Sequence, residues 1–478
     1  MGYTSFSYFI FVFVLMIVYY VFSKKVRWCV LLLGSILFYY SLIHKALQIG
    51  IFLLAIGIAW LAGIILDNHV KNQKLRKLIL IVSIILIFVP FVIVRICGFS
   101  LLPLSLTDRI NPIIPIGLSF FTLQLVAYVC DVYNKKISSQ LNPFKFGLFA
   151  SFFPQVIQGP IPRYDRLGKQ LFDGNDYDLE NIISGFQIII YGFFLKYMIA
   201  DKAAIVVNKI FDNHQAYMGG YVLFGVVLYS AQLYADFLGC TKLAQGVAML
   251  FGIKLDNNFI RPFAATSVKD FWRRWHVTLG AWLRDYIYIP LGGSRNGKMR
   301  KYINLLITFS FSGIWHGVGV TYLVWGILQA FYQIVEDSLS QRKKINLFYG
   351  DTTIRIAKKI KVYILFLIGL IVFRAESILA AWNMFKSLFT CFNPWIFVDD
   401  SLLKLGLDWK DYTVLFVSII VLAIISYFQE LGVAIRVWIN KQIFVFRWLI
   451  YVIAIVAIWV LGTYGYGYNA GDFIYGGF

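Results

Sequence analysis

Between Lys301 and Glu336 the chain runs for 34 residues without a single Asp, Glu, Lys or Arg. A stretch that apolar and that long is read as membrane-embedded, where the backbone must satisfy its own hydrogen bonds, most simply as helix. Within it stands one imidazole, His316, in Ser312-Gly313-Ile314-Trp315-His316-Gly317. An ionisable side chain at such depth is costly and is a functional candidate by default. The plainer reading is a histidine bonded to a neighbouring helix. The flanking glycines weaken the helix there and let other groups approach the ring.

The rest of the chain agrees with a membrane setting. Hydrophobic residues are 60% of the 478 and charged residues 14%, against roughly 45 to 50% and 25% in soluble domains. The net charge of +20 does not indicate nucleic acid, because the basic residues fall in short clusters between apolar runs. There they act as topology signals. The first apolar run, residues 6–22, has neither a basic approach nor a small-residue cleavage site and is read as a retained span. Cys29, Cys97, Cys130, Cys240 and Cys391 show no paired spacing and are expected to be buried thiols.

Apolar runs predict an all-α polytopic membrane protein with about 11 transmembrane helices plus re-entrant and interfacial helices. The spans are expected near 6–22, 28–43, 46–66, 78–97, 113–130, 182–200, 217–235, 302–335 (one or two passes), 362–375, 412–430 and 446–464. The stretches 142–158 and 241–253 look re-entrant or interfacial, being short or interrupted by Pro and Gly. One integral domain over 1–478 is expected, divisible into N-terminal helices (1–112), a central core (113–375) and C-terminal helices (376–478).

Lys24, Lys25 and Arg27 follow the first span, and Lys71, Lys74, Arg76 and Lys77 follow the third. Both clusters can face the cytoplasm, which puts the N-terminus outside. The same parity makes the segments before Tyr302 and after Val335 cytoplasmic, so residues 302–335 enter and return as a short or tilted hairpin with His316 near its deepest part.

A second cluster runs from Val268 to Tyr286 and contains Asp270-Phe271-Trp272-Arg273-Arg274-Trp275-His276. On a helical period Phe271, Trp272, Trp275, Leu279 and Trp282 share one face, as in an amphipathic helix at the cytoplasmic interface. His276 falls on or near that stripe, where a snorkelling helix has no need of an imidazole.

These residues carry a resemblance. Asp270 to His276, Trp282-Leu283-Arg284-Asp285-Tyr286-Ile287-Tyr288-Ile289-Pro290-Leu291-Gly292-Gly293 and Gly313-Ile314-Trp315-His316-Gly317 together resemble the membrane-bound O-acyltransferase family. They look most like the bacterial branch that includes the alginate O-acetylation membrane subunit. Pro115 to Phe121 with Asp131-Val132-Tyr133, Phe152-Phe153-Pro154-Gln155 with Gly159-Pro160-Ile161 and Arg163, and Leu255 to Pro262 fit the same branch. The likeness spans residues 115–375, which would make the central part an acyltransferase core. It departs at Asp236-Phe237-Leu238-Gly239-Cys240-Thr241-Lys242, where a more polar sequence ending in an acidic residue is expected, and at the C-terminal Phe473 to Phe478.

The resemblance implies acyl transfer from cytoplasmic acetyl-CoA toward hydroxyls of a cell-surface or secreted polysaccharide, in a bacterial plasma membrane. A buried imidazole tends to stay neutral, the form that can take a proton from a hydroxyl, which suits His316 as general base. His276 would orient or protonate the reacting groups, or else only bond the helix carrying His316. Trp275, Arg273, Arg274, Arg284, Asp285, Trp315, Ser312, Gln155, Asp236 and Asn258 are expected around substrate or donor. The arginines suit coenzyme A phosphates, and topology explains them equally well. Gly292 to Gly297 could cradle a phosphate but reads more simply as a turn.

No permanently bound cofactor and no metal is expected, since His44, His69 and His214 lack ligand spacing. No Gly-x-Ser-x-Gly elbow is present, so an acyl-serine, if needed, would come from an extracytoplasmic partner protein. Three other readings stay open: D-alanyl transfer to a cell-wall polymer by the same fold, a polytopic transporter with His316 as proton relay, and a structural scaffold for secretion. Transporters usually show an internal repeat, and none is visible.

Overall fold

The structure, a computed structural model, describes residues 1–43, 45–98, 115–340 and 351–464. His44, the basic residues Arg342, Lys343 and Lys344, and the C-terminal Phe473–Phe478 lie outside them. Among the described residues every regular element is helical. The described residues pack into two compact units, one of Met1–Ile189 with Cys240–Asn257, the other of Ile190–Gly239 with residues 258–464.

The first unit holds α1 (Phe6–Val21), α2 (Lys24–Leu42), α3 (Ala46–Ile64), α4 (Gln73–Gly98), α5 (Leu118–Tyr133), α6 (Pro143–Ser151) and α7 (Tyr164–Phe172). Helix α8 (Leu179–Phe193) follows. Local chemistry sets these limits. Ser5 caps α1 by accepting from the Tyr8 amide at 3.2 Å. Asn142 caps α6 by accepting from the Phe144 and Lys145 amides, with Pro143 at the first helical position. Gly117, at φ +76°, turns the chain into α5 where a Cβ would strike the Val156 carbonyl.

Two of the basic residues read as topology signals also bind backbone. Arg27 is buried and donates to the carbonyls of Phe22 (2.9 Å) and Asn175 (2.5 Å). Arg76, likewise buried, donates to the Leu66 carbonyl and, at 2.9 Å, to that of Tyr133. Such bonds satisfy carbonyls that helix ends leave open. The 142–158 stretch is a nine-residue helix followed by turns, too short to span.

The second unit holds a π-helical turn at Phe194–Ala200, then α9 (Asp201–Phe211) and the start of α10 (Gly220–Leu250). Next come α11 (Val268–Arg274), α12 (Val277–Leu283), a π turn at Arg284–Tyr288, α13 (Gly297–His316) and α14 (Val320–Ser340). The unit ends with α15 (Asp351–Arg374), α16 (Ile378–Thr390), α17 (Trp409–Glu430), α18 (Ile435–Asn440) and α19 (Phe444–Leu461).

Among the described residues seven helices are long and apolar enough to cross a membrane: α2, α3, α4, the α8–α9 run, α10, α17 and α19. Their exposed faces are apolar, with Leu33, Leu54, Ile85, Ile420 and Trp459 each at least half exposed. In water such a surface would not persist; against lipid it is the expected one. The remaining expected segments are helical as well. The expected spans 6–22 and 113–130 correspond to the shorter apolar helices α1 (Phe6–Val21) and α5 (Leu118–Tyr133), with residues 113 and 114 outside the described residues; most of 302–335 lies in α13 and α14, and most of 362–375 in the end of α15.

Three expectations change. Residues 241–250 are the last turns of the continuous 31-residue α10, not a re-entrant piece. Cys29 is exposed on α2, where Cys240 is buried as expected. The hairpin is not short: its arms reach outside the uncharged run and measure 20 and 21 residues, about 30 Å each at 1.5 Å per residue. Charged residues at the base complete the helices. Lys301 pairs with Asp337 at 2.6 Å, and Lys361 of α15 with Glu336 at 2.5 Å.

The arms touch closely where both carry glycine. A Cβ on Gly313 would strike the Tyr322 carbonyl, and one on Gly326 the Phe309 carbonyl. The small residues therefore serve the returning arm of the same hairpin, the use to which membrane helices put them.

Candidate active site

His316 is the last residue of α13, before the turn at Gly317–Gly319 that leads into α14. It is 4% exposed and lies about 22 Å of helix beyond Lys301. Its ring is walled by Trp315 (centroids 4.8 Å apart), Trp325 of α14 (5.2 Å) and Phe373 of α15 (5.6 Å). Ser312, one turn earlier on α13, is 1% exposed.

The tryptophan-rich segment is not one interfacial helix. It breaks at Trp275 and His276, with Trp275 extended and His276 left-handed at φ +45°, ψ +54°. A non-glycine residue there is uncommon, and such strain collects at functional sites. The apolar face is turned to protein: Phe271, Trp275, Leu279 and Trp282 are each 4% exposed or less. Trp275 packs on Phe259 (5.0 Å) and Phe366 (5.2 Å), while Trp272 meets Phe309 (5.3 Å) and Trp325 (5.7 Å). Each such aromatic pair adds about 0.5 to 1.5 kcal/mol beyond its burial.

The break aims His276 at the hairpin. Its ring is 6.4 Å from that of His316, 5.9 Å from Trp315 and 4.7 Å from Phe237. His276 is 2% exposed, and burial, with His316 beside it, holds its pKa well below the usual histidine value. The short helices α11 and α12, seven residues each, are too short to span, so the ring is carried by the connection between them.

Asn258 anchors that connection. Its Oδ1 accepts from the Thr278 amide at 3.3 Å and the Thr278 hydroxyl at 2.8 Å, and lies 3.1 Å from His276 Nδ1. Its backbone carbonyl accepts from the Val277 amide at 2.9 Å. The Nε2 of His276 is buried and has no hydrogen-bond partner among the described residues.

The other expected site residues divide. Trp315, 2% exposed, touches both histidine rings, and Trp275 supports the break. Arg274 is committed to Asp270 (3.1 Å) and Glu430 (3.2 Å). Arg284 pairs with its neighbour Asp285 at 2.8 Å and is largely exposed, as is Arg273. Gly292 and Gly293 both adopt positive φ in a turn before α13. Gln155, buried in the first unit, lines a small cavity with Arg163, Arg166 and Lys254.

Asp236 belongs to a buried ionic cluster. Lys196 lies 2.9 Å from both Asp201 and Asp236, all three side chains at most 5% exposed. Lys196 and Asp201 were not among the expected residues. The signal was present, since Lys196 is a charge inside the apolar run 182–200 and the argument that singled out His316 applies to it equally. Trp325 and Phe373 were missed for a plainer reason: nothing in an apolar sequence distinguishes a residue facing His316 from one facing lipid.

A family model described as MBOAT, the membrane-bound O-acyltransferase family, matches residues 36–379. The chain is 36% identical over 283 residues to a probable alginate O-acetylase of Pseudomonas syringae pv. tomato, covering 59% of this chain and 53% of that protein. It is 37% identical over 257 residues to a peptidoglycan O-acetyltransferase of Helicobacter pylori, covering 48% and 49%. To a teichoic acid D-alanyltransferase of Bacillus subtilis it is 31% identical over 234 residues, covering 45% and 57%. The matched region thus spans about half the length of these relatives.

Proposed function

The chain belongs to the membrane-bound O-acyltransferase family, and from that premise we propose that it moves an acetyl group from cytoplasmic acetyl-CoA toward hydroxyls of a cell-surface or secreted polysaccharide. The observation that carries this reading is the pair of buried imidazoles, His276 and His316, 6.4 Å apart inside an aromatic enclosure. Two rings this close, from two different elements, can both lie against one reacting group. The enclosure excludes water, which favours transfer over hydrolysis of a thioester.

His316 is the general base. It takes the hydroxyl proton as the oxygen attacks the thioester carbonyl; the carbon–sulfur bond breaks, and the proton passes to the departing thiolate. His276 donates to or accepts from the reacting group and holds it in line. Among the arginines, Arg273 is exposed and available to the donor phosphates, whereas Arg274 and Arg284 are engaged by carboxylates. The enzyme sits in the bacterial plasma membrane with its N-terminus outside, by the positive-inside pattern. Where the polymer does not itself reach the site, the attacking hydroxyl belongs to an extracytoplasmic partner; its acetyl ester is then attacked by a polymer hydroxyl, which takes the acetyl group as the partner's hydroxyl regains a proton.

The acetyl reading is preferred to D-alanyl transfer because the acetylating relatives match at 36% and 37% identity and the D-alanyl relative at 31%. The test supplies labelled acetyl-CoA to inverted vesicles containing wild type or His316→Ala, with a D-alanyl carrier protein as a parallel donor. Acetyl label should reach acceptor only with wild type. Equal transfer by the alanine variant at equal abundance, or transfer from the D-alanyl donor alone, overturns the proposal.

A further inference from the structure

We propose that Asn258 is a positioning residue that fixes His276 as the Nδ1–H tautomer and so presents the bare Nε2 of that ring to the reacting group. The inference rests on the acyl-transfer reading for its purpose, but its geometry stands alone.

Oxygen and nitrogen of an amide are told apart by their partners. The Thr278 backbone N–H can only donate, and it points at one terminal atom of Asn258 at 3.3 Å; the Thr278 hydroxyl donates to the same atom at 2.8 Å. That atom is therefore the carbonyl oxygen, which accepts and cannot donate. His276 Nδ1 lies 3.1 Å from it, so Nδ1 must carry the hydrogen. In a neutral imidazole the other nitrogen then holds a lone pair. Here that nitrogen is Nε2, buried and without a hydrogen-bond partner among the described residues.

A buried acceptor left without a donor is costly, so its retention needs an explanation. A substrate donor supplies one. His276 would then accept a hydrogen bond or proton through Nε2, and Asn258 would decide which nitrogen does so. The competing role for Asn258 is structural: it also satisfies the Thr278 amide at the start of α12. The two roles separate in Asn258→Asp. A carboxylate keeps both acceptor bonds to Thr278 but places a negative charge against Nδ1, which favours the imidazolium. The other titratable ring facing His276 is that of His316.

The experiment uses the full chain with ¹⁵N-labelled histidine in lipid bilayers, where the protein has five histidines and His276→Asn assigns the signal. At pH about 7 wild type should show one protonated and one bare nitrogen, with the protonated one at Nδ1. Asn258→Asp should show both nitrogens of His276 protonated, and its transfer rate should fall at least about tenfold with the acid limb moved to higher pH and donor KM unchanged. An Nε2–H tautomer in wild type overturns the proposal, as does an Asn258→Asp variant whose His276 protonation and pH profile match wild type. The spectrum requires no turnover. Absence of transfer in wild type would therefore count against the acyl-transfer reading and leave the tautomer result standing.

Discussion

His276 and His316 meet from two different elements, the break between α11 and α12 and the end of the first hairpin arm, with ring centroids 6.4 Å apart. Groups that act on one reacting centre lose function together, and their losses do not add. The alanine variants of either residue, and the double variant, should therefore differ little from the worse single one. Steady-state kcat/KM for all three checks this. A double variant as slow as the product of the single effects would mean that the rings act independently.

The pH response of His276 has a definite sign. Burial lowers its pKa in the folded protein below the unfolded value of about 6.5, so the unfolded chain binds the proton first as pH falls. Stability attributable to this ring is fully present above pH ~6.5 and is lost as pH drops through the lowered folded pKa. Thermal unfolding in detergent between pH about 7.5 and 5 should show a midpoint that declines in wild type and declines less in His276→Gln. Identical slopes would contradict the burial argument.

The Gly313–Gly326 contact predicts a steric effect. Either residue changed to Ala puts a methyl against a backbone carbonyl of the other arm, which backbone cannot sidestep. Overpacking of this kind costs about 1 to 3 kcal/mol. Both variants should melt at lower temperature than wild type, and Gly313→Ala should also slow transfer, because His316 is one turn away.

The Lys196 cluster predicts an asymmetry. Lys196→Met leaves Asp201 and Asp236 facing each other in the interior and should destabilise by about 3 to 5 kcal/mol. Combining Lys196→Met with Asp201→Asn and Asp236→Asn removes the charges together and should recover part of that loss. Denaturation of the purified variants reads both effects. A triple variant no better than Lys196→Met would show that the charges themselves are not what holds this region.

The helices were legible because lipid demands long apolar runs, and the described part of each expected segment is largely helical, although only seven helices among the described residues are long and apolar enough to cross a membrane. Their limits were less so. Charged residues such as Lys301 and Asp337 neutralise each other at a helix end, and periodicity alone takes them for loop. His316 and His276 stood out as imidazoles in apolar surroundings. The break at His276 did not, because the apolar period continues through Trp275 to Leu279 and Trp282 as though the helix were unbroken. Only the packing of Trp275 against Phe259 and Phe366, and the hold of Asn258 on both sides of the break, decide against it. Such contacts join residues whose spacing in the chain follows no local rule.

The left-handed backbone at His276 separates two things that mutagenesis usually confounds. Most replacements there would disturb the chain and the chemistry together, since few side chains tolerate that conformation. Asparagine tolerates it and has no titratable group. The His276→Asn variant should keep the shape of the break while lacking a proton acceptor of histidine strength, so the cost of losing the acid–base chemistry can be read without a folding correction.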